Sequence, residues 1–399
     1  MMTTPSTGPE LKVLRSQDLR SEVAVVLGTR PGIIKQSPLI RTLSSRGVPF
    51  FVIHTGQHYS YELDRKLFED LELPDPDFHL GSMAQYSSHG QQTAEMLKGV
   101  EAALLERRPT VVLVGGDANT NLAAALAARK LHIAVGHVEA GLRSFDWRMP
   151  EEHNRVIIDH ISEYLFAPTE IARRNMEREG VRGQIHVVGN TIVEAVRQHY
   201  SLALQKSSVL ERCGCSPKQY IFMTVHREEN TDYVENLSRV LEGIRLVVGT
   251  LGLPVVFAAH PRTTRRLAQF GLEATAAAIP GLRLIDPLGY LDALRMMGSA
   301  ALVMTDSGGV QQEACLLGVP CVTLRDTTEW VETVEVGANM VAGVEPLQVV
   351  EAARQMVGRA PDWPQLFGDG TTSEKITTIV QEALQHGVFF PPLLGGING

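Results

Sequence analysis

The sequence has few cysteines, no long apolar run and no excess of positive charge. Its four cysteines are Cys213, Cys215, Cys315 and Cys321. They form no CxxC pair and have no histidine at zinc spacing, so neither a disulfide framework nor a structural metal site is expected. No run approaches the ~18 apolar residues that span a bilayer, and the first 22 residues contain no apolar signal core. A net charge of −8 argues against a broad nucleic-acid-binding face. These absences predict a cytoplasmic protein with no membrane or nucleic-acid partner.

The chain repeats one local pattern over a length that suits two domains. It has 399 residues, of which 44% are hydrophobic and 21% charged, which is typical of a globular protein with a sizeable core. Short β-rich apolar runs alternate with helical patterns, and this alternation indicates βαβ units around parallel sheets. The first series predicts strands at 23–27, 50–54, 111–114, 133–138, 165–167 and 185–188, and the second predicts strands at 220–224, 255–259, 282–285, 301–304 and 321–324.

The two series predict two doubly wound α/β domains, separated by a loose stretch near residues 200–217. A last helical pattern covers residues 374–385. In doubly wound sheets, ligands bind outside the carboxyl ends of the strands. Polar clusters at those ends are therefore the candidate site.

The first strand runs into a helix start that carries two cations. Pro31 suits the first helical position, which places Arg30 at the helix start and Lys35 about one turn further in. A helix N-terminus attracts anions by itself, and the two side chains add full charges. The alternative is a pair of solvated cations. The loop is neither GxGxxG nor a P-loop, so neither a dinucleotide nor an ATP cradle is predicted.

A stronger phosphate signal lies in the second series, where a strand is followed by Ser307, Gly308 and Gly309 and then by a helix. The glycines let backbone N–H groups approach a diphosphate. Glu313, about one turn inside the helix, is placed to accept hydrogen bonds from ribose hydroxyls. The alternative is an ordinary glycine turn beside a surface glutamate.

Three acids stand at strand ends or helix starts in the first series. Asp117 follows two glycines, and helix capping is an equally good account of it. Glu151 begins a helix with Arg155 four residues later, so dipole stabilisation and a helical ion pair also explain it. Glu139 ends an apolar strand, where an acid must face a cleft or a partner.

Two similar clusters end strands in the second series: His226 with Arg227, and His260 with Arg262. Cations facing a diphosphate, with carboxylates opposite, fit the departure of a nucleoside diphosphate from a sugar. A carboxylate near the sugar is then suited to remove a proton from the adjacent carbon.

Several long motifs make the chain resemble the non-hydrolysing UDP-N-acetylglucosamine 2-epimerases. They are GTRPGIIK (28–35), HTGQHY (54–59), GHVEAGLRS (136–144), MPEEHNR (149–155), FAPTE (166–170), VGNT (188–191), TVHREEN (224–230), DSGGVQQEA (306–314) and LRDTTE (324–329). The resemblance implies two Rossmann-like domains facing each other across a cleft, a GT-B-like fold, with the final helix crossing back to the first domain. We then expect a flexible tail over 1–21, a first domain over 22–192 with the helix 374–388, and a UDP-binding domain over 193–373.

The resemblance implies an isomerase that interconverts UDP-N-acetylglucosamine and UDP-N-acetylmannosamine without cofactor or metal. UDP is eliminated to give 2-acetamidoglucal and is then added back. The implied catalytic residues are Asp117, Glu139, Glu151 and His226, with the base among the acids left open. The UDP-binding positions matched are Arg30, Lys35, Ser307, Gly308, Gly309, Glu313 and Arg325. The neighbouring motifs add Arg143, Arg155, Arg227 and His260 as substrate-binding candidates.

Several points stay open at this stage. Gln57 and His58 match a region where bacterial members hold a second UDP-N-acetylglucosamine as activator. The family suggests a homodimer and a role in cell-surface polysaccharide biosynthesis. Ala118 replaces a frequent threonine, and Trp330 lies in a motif that also resembles epimerases acting on UDP-diacetamido-glucuronic acid. A GT-B glycosyltransferase, a hydrolysing epimerase and a non-catalytic UDP-sugar sensor are the rival hypotheses.

Overall fold

The computed structural model describes residues 14–57 and 61–389, and these divide into two compact units. The first unit takes in the described residues up to Thr191 and those from Gly370 onward, and the second comprises Ile192–Asp369. Each unit contains one parallel sheet whose strands alternate with helices. The predicted α/β class with two Rossmann-like sheets is therefore confirmed.

The first unit is built around seven strands. They are β1 (Arg20–Leu27), β2 (Phe50–His54), β3 (Phe78–His79), β4 (Pro109–Gly115), β5 (Ala134–Val138), β6 (Tyr164–Ala167) and β7 (Gln184–Val187). The helices between them are α1 (Arg30–Ser45), α2 (Tyr61–Asp70), α3 (His89–Arg107), α4 (Asn119–Lys130), α5 (Pro150–Ile161) and α6 (Glu170–Glu179). The strand order is β3-β2-β1-β4-β5-β6-β7, so the chain reverses direction across the sheet between β1 and β4.

The register of this sheet brings two polar loops together. Strands β4 and β5 are parallel neighbours, and Gly115 pairs with Val138 at their carboxyl ends. Most side chains of both strands are buried, as expected for a parallel sheet covered on both faces. Asp117 and Glu139 therefore leave the sheet side by side, just beyond this last pair.

The second unit follows the same plan with six strands. They are β8 (Ile221–Thr224), β9 (Val255–Ala258), β10 (Leu282–Ile285), β11 (Leu302–Thr305), β12 (Cys321–Thr323) and β13 (Asn339–Val341). Its helices are α7 (Ile192–Lys206), α8 (Val209–Arg212), α9 (Glu228–Thr231), α10 (Val234–Leu251), α11 (Pro261–Gln269), α12 (Glu273–Ala277), α13 (Tyr290–Ser299), α14 (Gly308–Leu316), α15 (Val331–Glu335) and α16 (Pro346–Met356). In the order β10-β9-β8-β11-β12-β13, Thr224 of β8 pairs with Thr305 of β11. The loops that carry His226 and Ser307 thus leave adjacent strands.

The last helix, α17 (Thr372–His386), belongs to the first unit. It packs on α1, where Arg46 Nη1 lies 3.1 Å from Glu374 Oε2 and 2.9 Å from Thr378 Oγ1. Its apolar face, which includes Ile376 and Val380, is fully buried. The helix therefore completes the packing layer over α1.

The structure corrects two sequence-based expectations. Most of the stretch 200–217 is not loose, because α7 and α8 cover residues up to Arg212. The buried face of α7 includes polar side chains such as Glu194 and His199, which weakens its helical hydrophobic pattern. Strands β3 and β13 were also missed, since they span only two and three residues.

Candidate active site

The helix start of α1 fixes Arg30 through a buried acid. Thr29 caps the helix, its Oγ1 accepting a hydrogen bond from the backbone N–H of Gly32 at 3.3 Å. The Arg30 side chain is 48% exposed, and its Nε lies 3.3 Å from Oδ1 of the fully buried Asp64. The other oxygen of Asp64 lies 3.2 Å from His54 Nε2. The buried Asp64 therefore orients the half-exposed guanidinium of Arg30.

Glu139 adopts a strained backbone and is held by two donors. Its φ of +68° is in the left-handed region, which typically costs ~1–3 kcal/mol for a non-glycine residue and is common at functional sites. Lys35 Nζ lies 2.9 Å from both carboxylate oxygens, and Asn190 Nδ2 lies 2.6 Å from Oε1. The Glu139 side chain is only 5% exposed. Lys35, predicted to meet a phosphate, is thus paired with an acid in this structure.

Asp117 lies next to this cluster and is more exposed, at 34% of its side chain. A Cβ placed on Gly116 would lie 3.5 Å from Glu139 Oε2, which shows how close the Glu139 carboxylate comes to the loop that carries Asp117. Arg155 forms an ion pair with Asp117. Glu151, partly buried, stands on the first turn of the same helix α5 as Arg155. One end of the first sheet therefore brings Asp117 and Glu139 together, and Glu151 stands one helical turn before the partner of Asp117, Arg155.

Arg143 lies in a buried ion network. Its guanidinium is 2.8 Å from Asp159 and 2.6 Å from Glu179, and its side chain is 1% exposed. Burial alone would raise the pKa of Asp159, but the charges of His137 and Arg143 and their hydrogen bonds outweigh it and lower that pKa. These contacts give Arg143 a structural role, and its substrate-binding role stays a prediction.

In the second unit, a buried aspartate organises the His226 loop. Asp306 is fully buried and accepts hydrogen bonds from the backbone N–H groups of His226 and Arg227, at 3.0 and 2.9 Å to Oδ2, and from Asn230 Nδ2 at 3.0 Å. The His226 ring is 39% exposed, with Nε2 4.0 Å from Asp306 Oδ1. The loop is thus fixed while the imidazole faces outward.

The second histidine cluster lies beside the first. The His260 ring centroid is 5.7 Å from that of His226. His260 caps α11, its Nδ1 accepting a hydrogen bond from the backbone N–H of Arg262 at 3.2 Å. The Arg262 guanidinium is hydrogen-bonded to Asp232 and, with Arg266, lowers the pKa of Asp232 to about 2. His260 is therefore near His226, whereas Arg262 is paired with Asp232.

The start of α14 is closely packed on one side and open on the other. A Cβ on Gly308 would lie 2.1 Å from Glu329 Oε1, whereas the nearest atom to a Cβ on Gly309 would be Ser307 Oγ at 3.9 Å. Arg325 is buried and pairs with Glu329 at 2.8 Å. Glu313 is also buried, on the second turn of α14. The predicted diphosphate-binding N–H groups thus lie beside a neutralised Arg–Glu pair.

Gln57 caps helix α4 from a distant loop. The residue before α4 is Ala118, whose side chain has no acceptor, and Gln57 Oε1 accepts instead from the Thr120 N–H and Oγ1, both at 2.8 Å. His58, the other residue predicted for an activator site, lies outside the described residues. Gln57 therefore contacts the helix that follows Asp117.

Sequence reasoning missed the residues that hold the predicted ones. They are Asp64, Glu152, Asn154, Asn190 and Asp306, and four of the five stand within the quoted motifs. Their position in a motif was the available signal. The partners of Asp64, Asn154, Asn190 and Asp306 lie 10 to 80 positions away, whereas those of Glu152 lie within eight.

Residues 14–57 and 61–389 show neither a metal-binding cluster nor a membrane-spanning helix. No three His, Cys, Asp or Glu side chains there are arranged to hold a metal ion. No helix in these ranges is long and apolar enough to cross a bilayer.

Known proteins match this chain over most of its length. A family model described as UDP-N-acetylglucosamine 2-epimerase matches residues 41–381. The chain is 46% identical, over 90% of its length and 98% of the relative's, to a UDP-N-acetylglucosamine 2-epimerase of Methanocaldococcus jannaschii. It is 39% identical, over 89% of its length and 98% of the relative's, to a UDP-2,3-diacetamido-2,3-dideoxy-D-glucuronate 2-epimerase of Pseudomonas aeruginosa. A crystal structure of the M. jannaschii UDP-GlcNAc 2-epimerase in complex with UDP-GlcNAc and UDP aligns with a TM-score of 0.84 at 46% identity, covering 90% of this chain and 99% of that one.

Proposed function

The chain belongs to the UDP-N-acetylglucosamine 2-epimerase family and is an isomerase, and from this premise we propose that it interconverts UDP-N-acetylglucosamine and UDP-N-acetylmannosamine by the non-hydrolysing route. One observation carries the assignment of the acids. Asp117 and Glu139 leave neighbouring strands side by side, and each has its own cationic partner, Arg155 and Lys35.

The proposed reaction is an elimination followed by the reverse addition. As the bond between carbon 1 and the diphosphate oxygen breaks, its electron pair leaves with UDP. A carboxylate takes the proton from carbon 2, and the double bond of 2-acetamidoglucal forms. UDP then adds back to carbon 1 while a second acid protonates carbon 2 on the opposite face. Asp117, Glu139 and Glu151 are the acids proposed for the two proton transfers.

The second unit supplies the proposed UDP-binding groups. The open N–H groups at the start of α14 suit a diphosphate, and we propose that Arg227, His226 and His260 supply hydrogen-bond donors or positive charge to it. Arg325, which is paired with Glu329, is proposed to supply hydrogen-bond donors only. His226 is the donor proposed to act nearest the departing diphosphate. Glu313 is proposed to accept hydrogen bonds from the ribose.

A second sugar is favoured by one specific likeness. The P. aeruginosa relative acts, by its name, on UDP-2,3-diacetamido-2,3-dideoxy-D-glucuronate, and its identity to this chain is 39%. The elimination would be the same for that sugar. Both nucleotide sugars therefore belong in the test.

Four further properties are part of the proposal. We expect a homodimer in the cytoplasm that serves cell-surface polysaccharide synthesis. We also expect a second UDP-N-acetylglucosamine to activate the enzyme at Gln57 and His58. In support, Gln57 caps the helix next to Asp117. A reaction started from UDP-N-acetylmannosamine should then show a lag that added UDP-N-acetylglucosamine removes.

The test is proton NMR of UDP-N-acetylglucosamine incubated with the protein in deuterated water. We expect UDP-N-acetylmannosamine carrying deuterium at carbon 2. Asp117→Asn and Glu139→Gln should each lower kcat by at least about 100-fold while UDP still binds. An exposed acid of the first unit, Glu170, provides the matched control as Glu170→Gln.

Absence of exchange with both nucleotide sugars, in a protein that still binds UDP, would leave a sensor or a glycosyltransferase. Release of free N-acetylmannosamine would instead indicate a hydrolysing enzyme.

A further inference from the structure

Glu152 is a buried acid that the proposed chemistry does not use. Its side chain is 2% exposed, and its carboxylate accepts four hydrogen bonds. Oε2 accepts from the N–H and the hydroxyl of Ser144, both at 3.0 Å, and from Arg155 Nη1 at 2.7 Å. Oε1 accepts from the N–H of Phe145 at 3.0 Å. The carboxylate thus joins the loop before α5 to the helix itself.

Arg155 is the link from Glu152 to Asp117. Its guanidinium is 3% exposed, and it pairs with Glu152 through one nitrogen and with Asp117 through another. A buried guanidinium needs a carboxylate to offset its loss of hydration. Glu152 is 2% exposed and Asp117 is one-third exposed, so Glu152 offsets the burial of Arg155 more fully than Asp117 does.

The same turn of α5 also holds the backbone of Asp117. Asn154 Nδ2 donates to the carbonyl oxygen of Asp117 at 2.8 Å. Consecutive side chains of the helix thus fix the backbone and the carboxylate of one residue. Such an arrangement suits a group that must stay within a fraction of an ångström of a reacting atom.

Glu152 also restrains a strained and exposed aromatic loop. Phe145 has a φ of +57°, which is unfavourable for a bulky side chain, and its side chain is 73% exposed. Trp147, 66% exposed, is tied to α5 by a hydrogen bond from His153 Nε2 to its carbonyl oxygen at 3.0 Å. Both side chains stay largely exposed, and the Trp147 ring contacts that of His153 at 4.5 Å between centroids. Contacts to α5 therefore hold this loop.

We propose that Glu152 is a positioning residue for the epimerisation, acting through Arg155 to hold the carboxylate of Asp117 in its reactive place. The inference rests on the proposed function, because it requires Asp117 to take part in proton transfer. It assigns Glu152 no contact with the substrate. Loss of its charge should therefore lower turnover and leave nucleotide binding unchanged.

The test compares Glu152→Gln with Glu163→Gln. Glu163 is an equally buried acid of the first unit, paired with Arg129 at 2.5 Å and with the N–H of Val135 at 2.8 Å, near the opposite ends of the strands. We expect Glu152→Gln to lower kcat by about 10- to 100-fold, with KM and the Kd for UDP within about twofold. Glu163→Gln should stay within about twofold of the wild type in all three. Thermal unfolding of both variants checks that they fold.

A double-mutant cycle separates positioning from a general loss of structure. In the Asp117→Asn background, Glu152→Gln should cost less than about threefold further, because the group it positions is already gone. Equal losses in both backgrounds, or a Glu152→Gln enzyme that matches Glu163→Gln, would overturn the inference alone. A wild-type protein with neither epimerisation nor exchange would overturn the proposed function, and the premise of the inference with it.

Discussion

At the scale of single residues, the two central acids have different surroundings. Glu139 is nearly enclosed and meets Lys35 through both oxygens, whereas Asp117 is one-third exposed and meets Arg155. The proposed proton transfers at opposite faces of the sugar assign these two acids different roles. The structure therefore gives these residues distinct settings, and single variants should separate their effects on exchange and on product formation.

The two glycines that open α14 should respond differently to a methyl group. Gly308→Ala should lower the free energy of unfolding by roughly 1–3 kcal/mol, because the new Cβ would collide with the Glu329 carboxylate, which is buried and held by its pair with Arg325. Gly309→Ala has no such neighbour and should fold as well as the wild type. If a diphosphate lies on these N–H groups, Gly309→Ala will still weaken UDP binding at least about tenfold. Denaturation and UDP titration measure the two effects, and unchanged UDP affinity in Gly309→Ala would exclude the site.

The sequence predicted these residues better than their partners. Asp117, Glu139 and Gly308 follow apolar strands, and the carboxyl ends of parallel strands meet at one edge. Glu152 was missed because no periodic pattern links it to the loop seven and eight positions before it. Asp306 was missed because its donors come from another segment, up to 80 positions away in the case of His226. No spacing rule relates such residues before the strand order is known. The left-handed backbone of Glu139 was equally hidden, since no glycine marks it.

At the scale of secondary-structure elements, helix α4 depends on a residue outside it. Ala118 has an extended backbone suitable for a cap but no acceptor, and Gln57 supplies the missing oxygen. Most strand limits agree with the predicted ones within two residues, since buried β-branched runs are easily recognised. A cap supplied from another loop has no such local pattern.

A substitution at the start of α4 should compensate for the loss of the Gln57 cap. Gln57→Ala should lower the free energy of unfolding by about 1 kcal/mol, because the first N–H groups of α4 lose an acceptor. Adding Ala118→Thr to this variant should restore most of the lost free energy of unfolding. In a protein that keeps Gln57, Ala118→Thr should raise the free energy of unfolding by less. Urea unfolding of the four proteins gives the comparison. An equal gain from Ala118→Thr in both backgrounds would contradict the capping role.

At the scale of the whole molecule, all four cysteines fall in the second unit. Cys315 and Cys321 are buried, and burial raises the pKa of both thiols, that of Cys315 to about 12. Cys213 and Cys215 are partly exposed. Because all four cysteines lie there, thiol reactivity reports on the folding of the second unit and not of the first.

Thiol labelling at pH 8 should therefore show two classes. We expect Cys213 and Cys215 to react with a disulfide reagent in the native protein, with Cys215 slower because burial raises its pKa. Cys315 and Cys321 should react only as the second unit unfolds, in step with its loss of structure in denaturant. A Cys213→Ser variant assigns the fast phase. Four rapid thiols would show that the second unit opens readily.

The position of α17 in the chain has a consequence for biosynthesis. The helix covers α1 in the first unit, yet the ribosome makes it after the whole of Ile192–Asp369. Domains made during translation generally fold as soon as their residues have emerged. Here the second unit can fold before α17 has been made and packed on the apolar surface of α1. We therefore expect the nascent first unit to keep this surface exposed until α17 has left the exit tunnel.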